Sequence, residues 1–308
     1  MNFLKPKFWN KKSLFSYLLL PISFFIQALT KIFKLFIKKK KFDLPIICVG
    51  NIYIGGTGKT PLAIEMASIL KLNKKNPVIL KKSYKKHLDE FNLIENKKIN
   101  LIKSKSRDAG IIKAINKGYD VVILDDGFQD SSVHKDLNIL CFNEKQLAGN
   151  EMTLPSGPLR NSLKSIKDSQ IIVINGNANE EFENKIKNIS NEVSIFYSKY
   201  TPLNLEDFKN KKILAFAGIG NPDNFFDLLE QNNINLVKKF PFPDHYNYSL
   251  KELKELINYA DENNLDIITT EKDYFRIVHF QLSKIKYLSI KIDIFEKHKF
   301  INKIISYI

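Results

Sequence analysis

Beyond residue 42 the chain alternates short, unbroken apolar runs with longer stretches in which apolar positions recur every three or four residues. The runs at 44–49, 77–80, 119–124, 138–142, 170–174 and 193–197 are strand-sized, and 107–117 carries the helical repeat. Strands that are apolar throughout are covered on both faces, so the pattern predicts a parallel sheet with helices on both sides. A less periodic stretch at 200–210 reads as a linker. A second alternating set follows, with strands at 212–217, 236–240 and 266–269 and helices at 222–231, 249–263 and 297–307. The expected fold class is therefore α/β, with a nucleotide-binding domain over 42–199, a smaller α/β domain over 211–308, and a separate leading segment, 1–41.

That leading segment has its own pattern. Lys5, Lys7, Lys11 and Lys12 precede an apolar run at 14–29, which Pro21 interrupts. Phe24, Phe25, Ala28, Leu29, Ile32, Phe33 and Phe36 then share one helical face, while Gln27, Thr30, Lys31, Lys34 and Lys38 share the other. A basic cluster at 38–41 closes the segment. A signal peptide would want a small-residue cleavage site, and a membrane span would want about 20 unbroken apolar residues. A basic amphipathic helix lying in the interface of an anionic leaflet fits better; an ordinary helix packed on the domain is the alternative.

Composition changes the picture in two places. Lys and Arg number 48 against 33 Asp and Glu, a net charge of +15, which favours anionic partners. The cations are scattered among acids with no groove-reading element, so nucleic acid is not the expected partner. Only three of the 48 are arginines, Arg107, Arg160 and Arg276, so each is a place where a planar fork matters. Cys48 and Cys141 fall in strand-like runs and read as small core residues in a reducing compartment, not as a disulfide.

Candidate chemistry sits where apolar runs end. The run at 44–49 leads into Gly50-Asn51-Ile52-Tyr53-Ile54-Gly55-Gly56-Thr57-Gly58-Lys59-Thr60, then a helical pattern. Glycines let backbone N–H groups crowd around phosphate oxygens, the helix N-terminus adds positive potential, Lys59 supplies a point charge and Thr60 a hydroxyl for Mg²⁺. The strict pattern wants glycine where Tyr53 stands. The run 121–124 ends in Asp125-Asp126-Gly127-Phe128-Gln129, the way a buried strand delivers a carboxylate to Mg²⁺ at a sheet's carboxyl edge. Asp125 is the metal-side carboxylate, with Asp126 beside it. A nucleoside triphosphate site follows from the pair. Phe242-Pro243-Asp244-His245 reads as a rigid loop whose His245 is a candidate proton carrier, and 154–160 as a tight turn presenting Arg160.

Taken together, these motifs resemble the tetraacyldisaccharide 4′-kinase family. The resemblance runs in order through Gly50-Asn51 to Thr60-Pro61, Asp125-Asp126-Gly127-Phe128-Gln129, Leu154-Pro155 with Gly157-Pro158-Leu159-Arg160, Phe216 to Pro222, Phe242 to His245 and Thr270-Glu271-Lys272-Asp273. The family itself leaves the Tyr53 position without glycine. It departs at Lys82-Ser83-Tyr84, where the family has Arg-Gly-Tyr, and at Asn161, where Glu is common. The family's catalytic Asp motif finds its best match in Leu88-Asp89-Glu90-Phe91. The resemblance implies a P-loop NTPase-like fold and transfer of the γ-phosphoryl of ATP, with Mg²⁺, to the 4′-hydroxyl of a tetraacyldisaccharide 1-phosphate at the cytoplasmic face of the bacterial inner membrane. It further implies residues 53–60 on ATP, Thr60 and Asp125 on metal, and Asp89 as base with His245 from the other domain, joined by closure. Lys59 and Asp126 count with the catalytic set, and Asn51, Arg107, Gln129 and Arg160 with the substrate side. A monomer is expected. A membrane-associated P-loop switch ATPase without acceptor chemistry remains the alternative from the loop and the helix alone.

Overall fold

The computed structural model describes residues 6–83 and 88–308. Lys5 of the basic cluster and Tyr84 of the Lys82-Ser83-Tyr84 run lie outside these. In chain order the regular elements are α1 (Leu14–Leu18), α2 (Leu20–Leu35), β1 (Ile46–Gly50), α3 (Lys59–Leu72), β2 (Pro77–Lys82), α4 (Leu88–Asn96), β3 (Leu101–Ser104), α5 (Arg107–Asn116), β4 (Val121–Asp125), β5 (Leu137–Asn143), β6 (Ile171–Asn175), α6 (Glu180–Ile189) and β7 (Ser194–Pro202). They continue with β8 (Lys212–Ala217), α7 (Pro222–Gln231), β9 (Asn235–Pro241), α8 (Leu250–Glu262), β10 (Asp266–Thr270), α9 (Glu271–Ile277), β11 (Ile285–Leu288), β12 (Ile290–Ile294) and α10 (Lys297–Ile305).

Two compact units share these elements. One comprises residues 6–83, 97–199 and 292–308. Its eight-stranded sheet runs β12-β7-β6-β5-β1-β4-β2-β3, and every pair from β7 to β3 is parallel. β1, β4 and β6 are buried at every residue, as strands covered on both faces must be. The central strand β1 is flanked by β4 and β5, and the register sets Val49 beside Asp125. The glycine-rich turn leaving β1 and the carboxylate leaving β4 thus emerge side by side at the carboxyl edge, where open α/β sheets bind ligands.

The other unit comprises residues 88–96 and 200–291. Its parallel sheet runs β11-β10-β8-β9. β8 is the buried centre, while edge strand β9 exposes Val237, Lys238 and Lys239; the two charges blunt that edge against further pairing.

Four sequence expectations change. Residues 292–308, expected in the smaller domain over 211–308, group instead with the first unit, where β12 joins the eight-stranded sheet beside β7. The stretch 200–210 is not a free linker: β7 runs on to Pro202, and a 3₁₀ turn over Leu205–Phe208 buries Phe208 in the second unit's core. Residues 88–96, expected inside 42–199, group instead with the second unit. The reason is that α4 lies against α9, tied by Lys272 to Glu90 at 3.0 Å and by Asn92 Nδ2 to the Phe275 carbonyl at 3.4 Å. The amphipathic segment forms two helices, α1 and α2, with Pro21 at the start of the second, where a missing N–H costs nothing.

The orientation of that segment inverts the soluble norm. Ser16 and Ser23 are buried, whereas Leu14, Leu18, Phe24, Phe25, Phe33 and Phe36 are all more than half exposed. Ser23 Oγ donates to the Thr153 carbonyl at 3.0 Å and to Ser156 Oγ at 2.7 Å, and Gln27 Nε2 donates to the Arg160 carbonyl at 3.4 Å. Polar groups dock the helix and its phenyl rings face outward. Among the described residues no helix is long and apolar enough to cross a membrane.

Candidate active site

Three clusters hold the residues singled out above. The first is the turn from β1 to α3. Gly55, Gly56 and Gly58 all have positive φ, and Gly58 at φ 87° caps α3 so that the N–H groups of its first turn point into the loop. Asn51, fully buried, braces the turn from within: Nδ2 donates to the Tyr53 carbonyl at 2.6 Å and to Thr57 Oγ1 at 2.8 Å. Gln129 Nε2 in turn donates to the Asn51 carbonyl at 2.7 Å. Tyr53 is a core side chain, and the Ile54 N–H is spent on the Pro158 carbonyl at 3.0 Å. Asn51 and Tyr53 are buried and the Ile54 N–H is spent, so all three brace the glycine-rich turn that residues 55–60 complete.

The second cluster surrounds the acidic pair. Thr60 Oγ1 donates to Asp125 Oδ2 at 2.8 Å, and the Lys81 ammonium pairs with the same oxygen. Asp125 Oδ1 is buried with no hydrogen-bond partner among the described residues. A hydroxyl beside a carboxylate with one orphaned oxygen suits a small, hard cation that prefers oxygen ligands. Asp126 turns away in the left-handed region, φ 58°, toward three cations. Lys59 Nζ lies 3.8 Å from Oδ1, Arg160 Nη1 bonds both oxygens at 3.0 and 3.1 Å, and Arg107 Nη2 donates to the Asp126 carbonyl at 2.6 Å. Burial works against the Asp126 carboxylate, but Lys59 and Arg160 outweigh it and hold its pKa below the ordinary value. Arg107 is buried and its Nη1 is committed to Asp130 Oδ2 at 2.8 Å, while its Nε has no partner among the described residues. It fixes the turn carrying Asp126 and presents no free fork to a substrate. Lys81 is the residue that sequence reasoning missed. Its signal was a lysine ending an apolar strand, one step past the Leu80–Leu124 pairing and hence opposite Asp125.

The third cluster lies wholly in the second unit. His245 Nδ1 is 3.7 Å from Asp89 Oδ2, and Arg276 Nη2 donates to that oxygen at 2.6 Å. Asp89 is 2% exposed and, among the described residues, its Oδ1 has no hydrogen-bond partner. His245 adopts φ 55°, a conformation unusual for a residue other than glycine and, like that of Asp126, found at a candidate functional position. Burial, and then the Lys272 ammonium, push the imidazole pKa below its usual value, so it is neutral at pH 7. Asp89 and His245 were expected on different domains; α4 already brings both into one unit, and no closure is needed to join them.

A glycine-rich turn on a parallel sheet, a lysine and hydroxyl at a helix start and a strand-end carboxylate define a P-loop phosphotransferase. The family model described as tetraacyldisaccharide-1-P 4′-kinase matches residues 15–308. The chain is 41% identical over 99% of its length to the tetraacyldisaccharide 4′-kinase of Pelagibacter ubique, covering 98% of that protein. It is 33% identical to the enzyme of the same name from Rickettsia typhi, over 96% of this chain and 95% of that one. Among solved structures, LpxK from Aquifex aeolicus in complex with ATP superposes with a TM-score of 0.70 at 26% identity, covering 95% of this chain and 99% of that one. The chain belongs to the tetraacyldisaccharide 4′-kinase family.

Proposed function

We propose that this chain transfers the γ-phosphoryl of ATP to the 4′-hydroxyl of a tetraacyldisaccharide 1-phosphate, a step of lipid A biosynthesis. What supports the reading is that one unit has a glycine-rich turn backed by Lys59, Thr60 and Asp125, and the other a buried carboxylate, Asp89, beside the His245 imidazole.

The proposed roles follow from position. Backbone N–H groups of residues 55–60 and the Lys59 ammonium neutralise the donor phosphates. Thr60 and Asp125 would hold Mg²⁺, which when bound screens charge on the β- and γ-phosphates. Asp89 takes the proton as the sugar oxygen bonds to the γ-phosphorus and the bond to the β-phosphate oxygen breaks, releasing ADP. His245 beside it, uncharged at neutral pH, adds no competing cation and can share that proton. Arg160, its guanidinium on Asp126 and its backbone on α2, and Gln129 are the remaining substrate-side candidates.

We place the chain on the cytoplasmic face of the inner membrane, where ATP is available and an acceptor with four acyl chains is held. What supports this is the inverted helix pair: outward phenyl rings have the bilayer to enter, and Lys38, Lys39 and Lys41 each add about 1 kcal/mol on an anionic surface, Lys40 being paired with Asp108. The reaction requires no second copy of the chain, and we read it as a monomer. A switch ATPase would have no use for the Asp89–His245 pair. The test is mass spectrometry of a tetraacyldisaccharide 1-phosphate incubated with enzyme and Mg-ATP. A product heavier by one phosphate at the 4′ position is expected; ADP with unaltered lipid would contradict the proposal.

A further inference from the structure

The one arginine of the three that the nucleotide side does not use is Arg276, and its guanidinium spans two carboxylates. Nη2 donates to Asp89 Oδ2 at 2.6 Å, and Nη1 donates to Asp273 Oδ1 at 2.7 Å, one helical turn back on α9. The same Nη1 reaches the carbonyls of Gly218 at 3.2 Å and Tyr246 at 3.3 Å. Asp273 is completely buried and held in turn by Thr270 Oγ1 at 2.7 Å, the Gly218 N–H at 2.9 Å and the Tyr248 hydroxyl at 3.2 Å. A Cβ at Gly218 would lie 2.6 Å from the Tyr248 hydroxyl and would have to displace it. A chain of contacts therefore runs from the α9 N-terminus through Arg276 to one oxygen of Asp89, leaving the buried Oδ1 without a partner among the described residues.

We propose that Arg276 is a positioning residue for the acceptor base: clamped by Asp273, it occupies Asp89 Oδ2 and so turns Oδ1 toward the sugar hydroxyl. This rests on the reading of Asp89 as the base. Lysine, a point charge, cannot bridge both carboxylates in one plane, which explains an arginine in a chain whose default cation is lysine. The charges facing Asp89 are Arg276 and Lys272 from α9, His245 and Asp244 from the loop after β9, and Glu90 from α4, with Asp273 behind Arg276. Withdrawing the guanidinium unclamps Oδ2 and removes the nearest opposite charge from a buried carboxylate.

The test is kcat and KM for Arg276→Met, Arg276→Lys, the double variant Arg276→Met/Asp273→Asn, which removes both buried charges together, and Asp89→Asn. Arg276→Met and the double variant should lose about 100-fold in kcat, the scale of an ångström's misplacement, with KM for ATP within about twofold. Arg276→Lys should recover only part of kcat, again with KM for ATP little changed. Parental kcat in Arg276→Lys, or a folded Arg276→Met or double variant with parental kcat, would overturn the proposal. Asp89→Asn separates the two levels: parental turnover there defeats the base assignment itself. Its inactivity alongside unaffected Arg276 variants defeats only the positioning role.

Discussion

Replacing Lys81 by methionine tests how Asp125 is held before and after nucleotide arrives. Lys81 and Asp125 form an ion pair in which the side chains are 8% and 0% exposed, at the carboxyl edge of adjacent strands. Removing one partner of such a pair strands the other, at a cost of about 3–5 kcal/mol. In a unit of this size each kcal/mol moves the melting temperature by about 2–4 °C, so the nucleotide-free variant should melt roughly 6–20 °C lower. If Asp125 is also the metal-side carboxylate, a divalent cation supplies the charge that Lys81 no longer does and meets no competitor there. Mg-ATP should then raise the variant's melting temperature by more than the parent's, where a hundredfold excess over Kd adds about 2.7 kcal/mol. Differential scanning fluorimetry with ATP alone, Mg²⁺ alone and both reads this directly. A nucleotide-free melt within a degree or two of the parent would refute the buried-pair argument. An Mg-ATP shift no larger than the parent's would refute the sharing of Asp125.

Other outcomes follow from the same geometry. Lys59→Ala should reduce kcat by at least about 100-fold without changing the nucleotide-free melting temperature by more than about 2 °C, because its contact with Asp126 is long at 3.8 Å; activity assays and melts check both. His245, depressed below about 6.5 chiefly by burial, is bound to more protons when unfolded than when folded in the window just beneath that value. Its contribution to stability is full above about pH 6.5 and is lost as pH falls through the depressed folded value, so His245→Gln should flatten that part of a stability–pH curve. Phe24→Ser with Phe33→Ser should weaken binding to anionic vesicles by about tenfold or more in co-sedimentation, since a phenyl ring contributes roughly 1.5–3 kcal/mol on leaving water.

Much of this was legible because local pattern and function coincide at strand ends. Unbroken apolar runs marked β1, β4, β5 and β6 as buried, and the residues finishing β1 and β4 carry the proposed nucleotide site. What the pattern did not carry was long-range. Nothing local in residues 88–96 says that α4 packs on α9, so Asp89 was matched through a family motif and expected on the wrong unit. Arg276 stood out by rarity, but its two carboxylates are 3 and 187 positions away in sequence. The helical face of α2 was readable; that its serines would be buried against 153–156 was not, because a buried polar face depends on what the partner segment offers. Asn51, Tyr53 and Ile54 lie within the loop motif, yet motif membership does not distinguish a residue that touches phosphate from one that braces the turn.

The measurement that tests the central claim most directly is transfer of labelled γ-phosphate from ATP to a tetraacyldisaccharide 1-phosphate in detergent micelles, with parent, Lys59→Ala and Asp89→Ala run side by side. Label appearing in the lipid with the parent, and lost with each variant although they lie in different units, is the predicted result. Labelled inorganic phosphate with no labelled lipid, or full lipid labelling by either variant, would contradict it.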